Sequence, residues 1–536
     1  MSRKLAIAIS GAVSLGSYEA GVMYEVLEAI AQHNEKLAKD SSSRIEIDVI
    51  TGASAGGMTA GILAQKLLCD GKELRKPYDN PLYHAWVNEV DIEKLLDKDK
   101  REYKFSLLSS KAVEGIAGNH IKDSPLLHEA HPSAAKEIFV GIAMSNLNGW
   151  DYTVKPNNTD GDSEFVYTRY KDRFVCRLDH SVDGINLFEI SLSHKSEDGK
   201  KDDEWVDMHP TSWQKLRECS VSSGAFPFAF EVRKITRCPG KGEFAGRESN
   251  TYSYTDGGVF ENEPLGLAKK LAEWVDDKES SITEKTHEEP NKHFYLYVAP
   301  GNKTSTSNIN FGRTEQIDLW TTLKALLAAI FNQARFQDWI IKDLDNKSPI
   351  FQITTKNDKL IGELLSAFAG FLDIRFRFYD YNIGRESARE ALEKFSKNTS
   401  NPNLAYWKEL GEEDQLCLKW EVVTKKGGKG EKDITLPVNR ATHEAYANGS
   451  IDDLLKAVDL SKREKIQKAI GERLMALIDL VNDKLDEEDR KKSVLLGSVR
   501  RLIRRLWTFV IVKPTVWIIA GRFLHRKLLL NDKGHS

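Results

Sequence analysis

Cysteine is scarce in this sequence. The 536 residues include five, Cys69, Cys176, Cys219, Cys238 and Cys417, which are odd in number, widely scattered and without a CxxC pair. That spacing argues against a disulfide framework or a zinc knuckle and for a reducing compartment. Long apolar runs are lacking too. Near the C-terminus Lys513-Pro514 splits the apolar stretch into pieces far short of the about 20 residues a membrane-spanning helix needs. Residues 1–9 have a basic head and an apolar run. The run is too short for a secretory signal and leads into a glycine turn, so it reads as the first buried strand of a cytoplasmic chain. An excess of charge of one sign is missing as well: the formal net charge is -3. The average gives no sign of a basic domain, and no nucleic-acid partner is expected. No internal repeat, Walker ending or G-x-G-x-x-G occurs. None of the thirteen histidines sits in a His-Glu-x-x-His context. His128 and His131 are three apart, but Pro132 follows at once, and a surface role is favoured over a metal site.

What is present is globular: 40% hydrophobic and 29% charged residues, over a length that suggests two or three folded units. Residues 4–9 are a short apolar run of the kind expected in a parallel sheet covered on both faces, and 45–50 read as a second, β-branched strand. Each is followed by a glycine-containing loop and then by apolar residues at helical spacing, over 17–35 and from Met58 onward. This β-loop-α alternation predicts an α/β fold with a mainly parallel sheet flanked by helices. Residues 70–135 are helical and charged, with Pro and Gly breaks, and read as an insertion or lid. Further strands are expected at 137–144, 251–255 and 293–298, and an antiparallel pair at 165–170 and 174–178. Residues 193–204 and 276–291 read as polar loops. From about residue 313 the pattern is mainly helical, with a strand at 416–423.

Three stretches carry candidate chemistry. Gly52-Ala53-Ser54-Ala55-Gly56 fits G-x-S-x-G and lies between an expected strand and an expected helix, the context this motif requires. The sharp turn needs small neighbours and exposes Ser54 Oγ at a helix N-terminus, whose dipole favours developing negative charge. The competing reading is a glycine-rich turn with an incidental serine. Ser10-Gly11-Ala12-Val13-Ser14-Leu15-Gly16 follows the first strand. Backbone N–H groups of Gly11, Ala12 and Val13, with that of Ala55, can form an oxyanion hole, or the loop is a plain β-α turn. Asp256-Gly257-Gly258 ends a strand. Its carboxylate can take the Ser54 proton directly, or the stretch is an ordinary Asp-Gly turn. A Ser-His-Asp arrangement using His287 or His293 stays open on spacing alone.

Together these stretches resemble the patatin-like phospholipase family, in its bacterial-type branch. The order matches: glycine-containing loop SGAVSLGSYEAG, elbow TGASAGG, then Thr255-Asp256-Gly257-Gly258-Val259-Phe260-Glu261-Asn262-Glu263-Pro264. The first loop departs from the family's commoner triple-glycine form. Ser222-Ser223-Gly224-Ala225-Phe226-Pro227 and Tyr379-Asp380-Tyr381-Asn382-Ile383-Gly384-Arg385 also look familiar. The resemblance covers about residues 4–390. It implies a catalytic domain over 1–395 and a Ser54–Asp256 dyad, which accounts for the absent histidine. It also implies acyl-ester substrates, mainly membrane lipids, and neither metal nor cofactor. It places Phe226, Phe228 and Phe230 along an acyl pocket, against a plain structural turn fixed by Pro227. Arg385 is expected to pair with Asp380 or a neighbour as a scaffold contact. Acyltransfer, thioester hydrolysis, or a ligand-activated, membrane-damaging role in bacterial phage defence are the alternative activities.

Residues 396–536 form the remaining, mainly helical region, with a basic-aromatic segment at 490–530. Arg500, Arg501, Arg504 and Arg505 lie close to Trp507, with Trp517 beyond. That mixture suits peripheral contact with an anionic membrane surface. The competing reading is a packed helical tail with a solvated basic face.

Overall fold

The two N-terminal apolar runs lie side by side. β1 (Arg3–Ile9) and β2 (Ile45–Gly52) are parallel, with Ile9 opposite Gly52, and α1 (Gly16–Glu35) is the crossover between them. β9 (His293–Val298) adds to the free side of β1 and β10 (Ile350–Ile353) to β9, both parallel. β3 (Ala134–Val154) continues the parallel set beyond β2. The computed structural model describes residues 2–97, 103–154, 165–181, 184–193, 204–237, 250–282, 293–301, 350–355, 360–363, 367–397, 420–425, 433–436, 448 and 456–492.

These strands are apolar on both faces because both faces are covered. Leu5, Ile7 and Ile9 of β1 point into the larger core, with α1, α2 (Ala55–Cys69), α6 (Trp213–Ser223) and α8 (Ile374–Lys397). Ala6 and Ala8 point the other way, against Leu267, Leu271 and Val275 of α7 (Leu265–Ile282). Each buried Leu or Ile contributes about 1.5–3 kcal/mol relative to exposure, so this two-sided packing dominates the fold's stability. The stretch after α2 carries α3 (Pro81–Tyr83), a π turn (His84–Glu89), α4 (Ile92–Leu96) and α5 (Ser110–His120). Leu82, Tyr83, Val87, Leu95 and Ala117 from this stretch join the larger core.

Beyond β3 the sheet turns antiparallel through β4 (Phe165–Ser181), β5 (Gly184–Ser193) and β6 (Glu204–Pro210). β8 (Thr251–Asp256) pairs antiparallel with β3 and with β7 (Arg233–Thr236), completing a mixed ten-stranded sheet. The fold is thus α/β, a central sheet flanked by helices, with a helical C-terminal extension, α9 (Leu460–Lys492). α9 reaches back to the core: Lys462 Nζ lies 3.1 Å from an Asp91 carboxylate oxygen, and the Arg473 guanidinium sits 5.1 Å from the Tyr103 ring centroid.

Several expectations give way. The strand pair expected at 165–170 and 174–178 is one strand, β4, running through Lys171-Asp172-Arg173. Those charges read as a turn, yet they are neutralised inside the fold. Arg237 Nη1 donates to Asp172 Oδ2 at 3.1 Å, and Lys171 lies 2.6 Å from Glu261. The polar loop expected from residue 276 begins as helix, since α7 continues to Ile282, and Asp276 pairs with His293 at 3.1 Å. Of the strand expected at 416–423, residues 416–419 lie outside the described residues, 420–422 are not strand, and β11 (Val423–Lys425) pairs with β12 (Ile434–Leu436). Arg385 does not pair with Asp380. Its Nε donates to Glu25 Oε1 on α1 at 2.7 Å, while Asp380 accepts the N–H groups of Ile361 and Gly362. His131 is buried rather than superficial, with its Nδ1 2.8 Å from Ser133 Oγ. Residues 194–203, 302–349 and the basic-aromatic tail from 493 on, with Arg500, Arg501, Arg504, Arg505, Trp507 and Trp517, lie outside the described residues.

Candidate active site

β3 is the ruler on which the site is assembled. β2 runs parallel to it and ends with Gly52 opposite Ile142. β8 occupies the same side of β3 further along, runs the other way, and ends with Asp256 opposite Met144. Two residues of β3 span about 7 Å. The elbow after β2 and the last residue of β8 therefore meet almost head to head, and Ser54 Oγ donates a 2.6 Å hydrogen bond to Asp256 Oδ2.

The local chain is shaped for this meeting. Ser54 has φ 52°, a left-handed conformation unusual for a side-chain-bearing residue. Such a conformation costs about 1–3 kcal/mol and is retained where the surroundings enforce it. Here the enforcement is close packing of backbone. A Cβ on Gly52 would stand 2.1 Å from the Gly56 carbonyl oxygen, and one on Gly56 would stand 2.5 Å from those of Ile9 and Ser10. Gly257 has the same requirement, with the Ala143 carbonyl oxygen 2.1 Å from a Cβ placed there, and Gly258 N donates to Asp256 Oδ1 at 2.6 Å.

Two serines that the motif alone does not single out hold the pair in place. Ser223 Oγ, at the end of α6, accepts the Ser54 N–H at 2.9 Å and donates to the Ala143 carbonyl at 2.7 Å. Ser145 Oγ donates to the Asp256 carbonyl at 2.7 Å. Ser223 had a signal in the Ser222-Ser223-Gly224 stretch. Ser145 sits in a plain strand sequence and had none.

Ser54 and Asp256 are both buried. Burial raises the Asp256 carboxyl to about 7, against the opposing bonds from Ser54 and Gly258. A carboxyl near neutrality is a competent proton acceptor at physiological pH, which an ordinary aspartate is not.

The loop of residues 10–16 borders Ser54: a Cβ on Gly11 would lie 3.0 Å from Ser54 Cβ. Gly11 is not a free donor, because its N–H is spent on the Asn262 carbonyl at 2.9 Å. The N–H groups of Ala12, Val13 and Ala55 make no hydrogen bond among the described residues. Val13 repeats the strained geometry of Ser54, also at φ 52°, and Ala55 opens α2 so that its N–H lies at a helix N-terminus. The four donors expected here are thereby reduced to three.

His293 cannot complete a triad. It sits opposite Lys4 at the start of β1, five residues before Ile9 and so about 17 Å along the strand from the elbow, where it pairs with Asp48 at 2.9 Å. His287 lies outside the described residues. Among the phenylalanines expected in an acyl pocket, Phe226 packs edge-on against Phe368 at 6.0 Å and Phe230 packs against the larger core. Phe228 points outward and is 81% exposed. No helix among the described residues is long and apolar enough to cross a membrane.

No family model matches the chain. It is similar to a protein of Sinorhizobium fredii described as uncharacterized protein y4iI, at 20% identity over 486 residues, covering 76% of this chain and 66% of that protein. The chain thus spans just under two thirds of this relative's length, and the relative brings no described activity with it.

Proposed function

We propose that this chain is a serine acyl hydrolase of the patatin-like phospholipase kind, working through Ser54 and Asp256. The observation that carries the reading is the direct 2.6 Å bond from Ser54 Oγ to Asp256 Oδ2. In the proposed reaction Ser54 Oγ attacks an acyl carbonyl as its proton passes to Asp256 Oδ2. The oxyanion of the tetrahedral intermediate is met by N–H groups drawn from Ala12, Val13 and Ala55. Collapse expels the alcohol, which takes the proton from Asp256, and leaves Ser54 acylated. Water, deprotonated by the same carboxylate, then cleaves the acyl-enzyme. No metal or cofactor enters these steps. On sequence grounds the substrates are acyl esters of membrane lipids, reached from the cytoplasmic face by a peripheral protein. The tail residues Arg500, Arg501, Arg504, Arg505, Trp507 and Trp517 make one contact with that surface.

The test is hydrolysis of a short soluble ester. Ser54→Ala and Asp256→Asn each lower turnover at least about 10³-fold, as losses of nucleophile and base do, while circular dichroism and melting remain those of a folded protein. Wild-type turnover rises with pH through a single limb near pH 7, as the Asp256 carboxyl loses its proton. Near wild-type turnover by Asp256→Asn, with loss in a histidine variant, would replace the dyad with a triad.

A further inference from the structure

Phe228 is held in an unusual way. Its backbone is left-handed at φ 67°, an outlier for a bulky side chain, and its ring is 81% exposed. The segment is not loose. Leu107 N–H donates to the Phe228 carbonyl at 2.8 Å, Leu108 N–H to that of Ala229 at 2.7 Å, and Glu231 N–H to Ser110 Oγ at 2.8 Å. A strained backbone, pinned on both sides of the residue, keeps an apolar ring out of the core and in water. Three residues earlier the same segment grips the site, since the Ala225 carbonyl accepts the Asp256 N–H at 3.0 Å and the Thr255 hydroxyl at 2.8 Å.

The pairing with Leu107 brings a second ring to this ledge. Phe105 is 53% exposed, with Lys104 Nζ 4.9 Å from its centroid. Val232 is exposed as well, and so are Lys111 and Lys234. Across residues 103–111 and 225–237 the exposed charged side chains are Lys104, Lys111 and Lys234. The acid of those stretches, Glu231, is only half-buried, and Arg233 is paired with Glu114. Exposed aromatic rings among lysines match a lipid interface, with rings entering the acyl boundary and ammonium groups meeting anionic headgroups.

We propose that Phe105 and Phe228, with Lys104, Lys111 and Lys234, form a rigid docking ledge for an anionic lipid surface. It is built on the segment that holds Asp256, so that docking presents the dyad to the bilayer. The inference deepens the acyl-hydrolase reading and rests on it for its purpose, but the ledge itself is tested by binding alone. The full chain, Phe228→Gly, and the double variant Phe105→Ser/Phe228→Gly are sedimented with vesicles of phosphatidylglycerol and phosphatidylcholine. Turnover of a short soluble ester and the melting temperature are read beside. Glycine relieves the left-handed strain, so Phe228→Gly melts no lower than wild type. The double variant binds vesicles at least about tenfold more weakly, as removal of inserted rings requires, while soluble-ester turnover is unchanged. Binding of wild type falls on raising salt or omitting phosphatidylglycerol. Equal vesicle binding by the variants overturns the ledge even where the esterase survives. A wild-type dimer that the double variant loses overturns it in favour of an interface between copies. Weakened binding with no esterase in any form would leave the ledge standing and sink the hydrolase reading.

Discussion

At the scale of single residues, the site is governed by which backbone N–H groups are already committed. Ser54 gives its own N–H to Ser223, and Gly11 gives its N–H to Asn262. Neither can stabilise an oxyanion without breaking an internal bond. Gly11 is required for a different reason: a Cβ there would meet Asn262 Oδ1 at 2.1 Å as well as Ser54. The sequence could not reveal this, because Gly11 and Asn262 are 251 positions apart. Ser54 and Asp256 could be singled out because each lies where a strand gives way to a glycine turn that has few uses. Ser223→Ala removes the acceptor of the Ser54 N–H and the donor to the Ala143 carbonyl. Leaving buried polar groups unmet costs about 1–3 kcal/mol of stability. A loosened elbow lowers kcat by about 10–100-fold with little change in KM, since misplacement by an ångström can cost that much. Steady-state kinetics of Ser223→Ala beside Ser223→Thr, which retains the hydroxyl, checks it: wild-type kcat in the alanine variant would remove Ser223 from the machinery.

At the scale of elements, the question is what fixes β8, since it delivers Asp256. The answer lies in a buried polar network. Arg237, just after β7, donates to Asp172 on β4, to Glu189 on β5 and to the Tyr254 hydroxyl on β8, and Tyr254 itself donates to Asp172 at 2.7 Å. Burial of the guanidinium is unfavourable by itself. The charges around it outweigh that cost and keep it ionised. This network is also why the sequence of β4 reads as two strands: Lys171-Asp172-Arg173 looks like a turn until partners from distant segments arrive. Over Leu5–Ile9 β1 needed no such partner, so its apolar run was legible as it stands. Arg237→Met removes the buried cation that faces two buried carboxylates and takes one hydrogen bond from the Tyr254 hydroxyl. Removal of one member of a buried pair costs about 3–5 kcal/mol, so this variant should melt well below wild type. Asp172→Asn/Glu189→Gln/Arg237→Met, which neutralises the carboxylates as well, should recover part of the loss. Chemical denaturation of the two variants measures the difference, and no recovery would mean that the charges are not what binds these strands together.

At the scale of the whole molecule, the buried ionisable groups set opposing demands on pH. Burial pushes the carboxyls of Asp256 and Asp380 up to about 7 and about 8, despite the N–H bonds each accepts. In the unfolded chain both titrate near 4. Between about pH 4 and pH 8 the folded protein therefore binds protons that the unfolded chain has released, and stability falls as pH rises. His293 acts in the same direction. Burial lowers its affinity for a proton, but Asp48 and Asp276 outweigh burial and carry it to about 9. Its contribution is complete below about pH 6.5 and is lost as pH rises through 9. The opposite group, with carboxyls held below their usual range by bonded cations, includes Asp373 beside Arg375, and loses stability only in stronger acid. The melting temperature should therefore peak near pH 4 and decline toward pH 9, while the proposed hydrolysis climbs through pH 7: the ionised base that this chemistry needs is a buried charge that folding opposes. Asp380→Asn isolates the stability side, because Asp380 braces residues 361 and 362 rather than the dyad. The amide oxygen can keep one of those two bonds and carries no charge. This variant should lose about 1–3 kcal/mol less stability than wild type between pH 5 and pH 8, with the limb of activity near pH 7 unmoved. Melting curves across that range, run beside the pH–rate profile, decide it. A decline as steep as wild type would show that Asp380 is not the group being titrated.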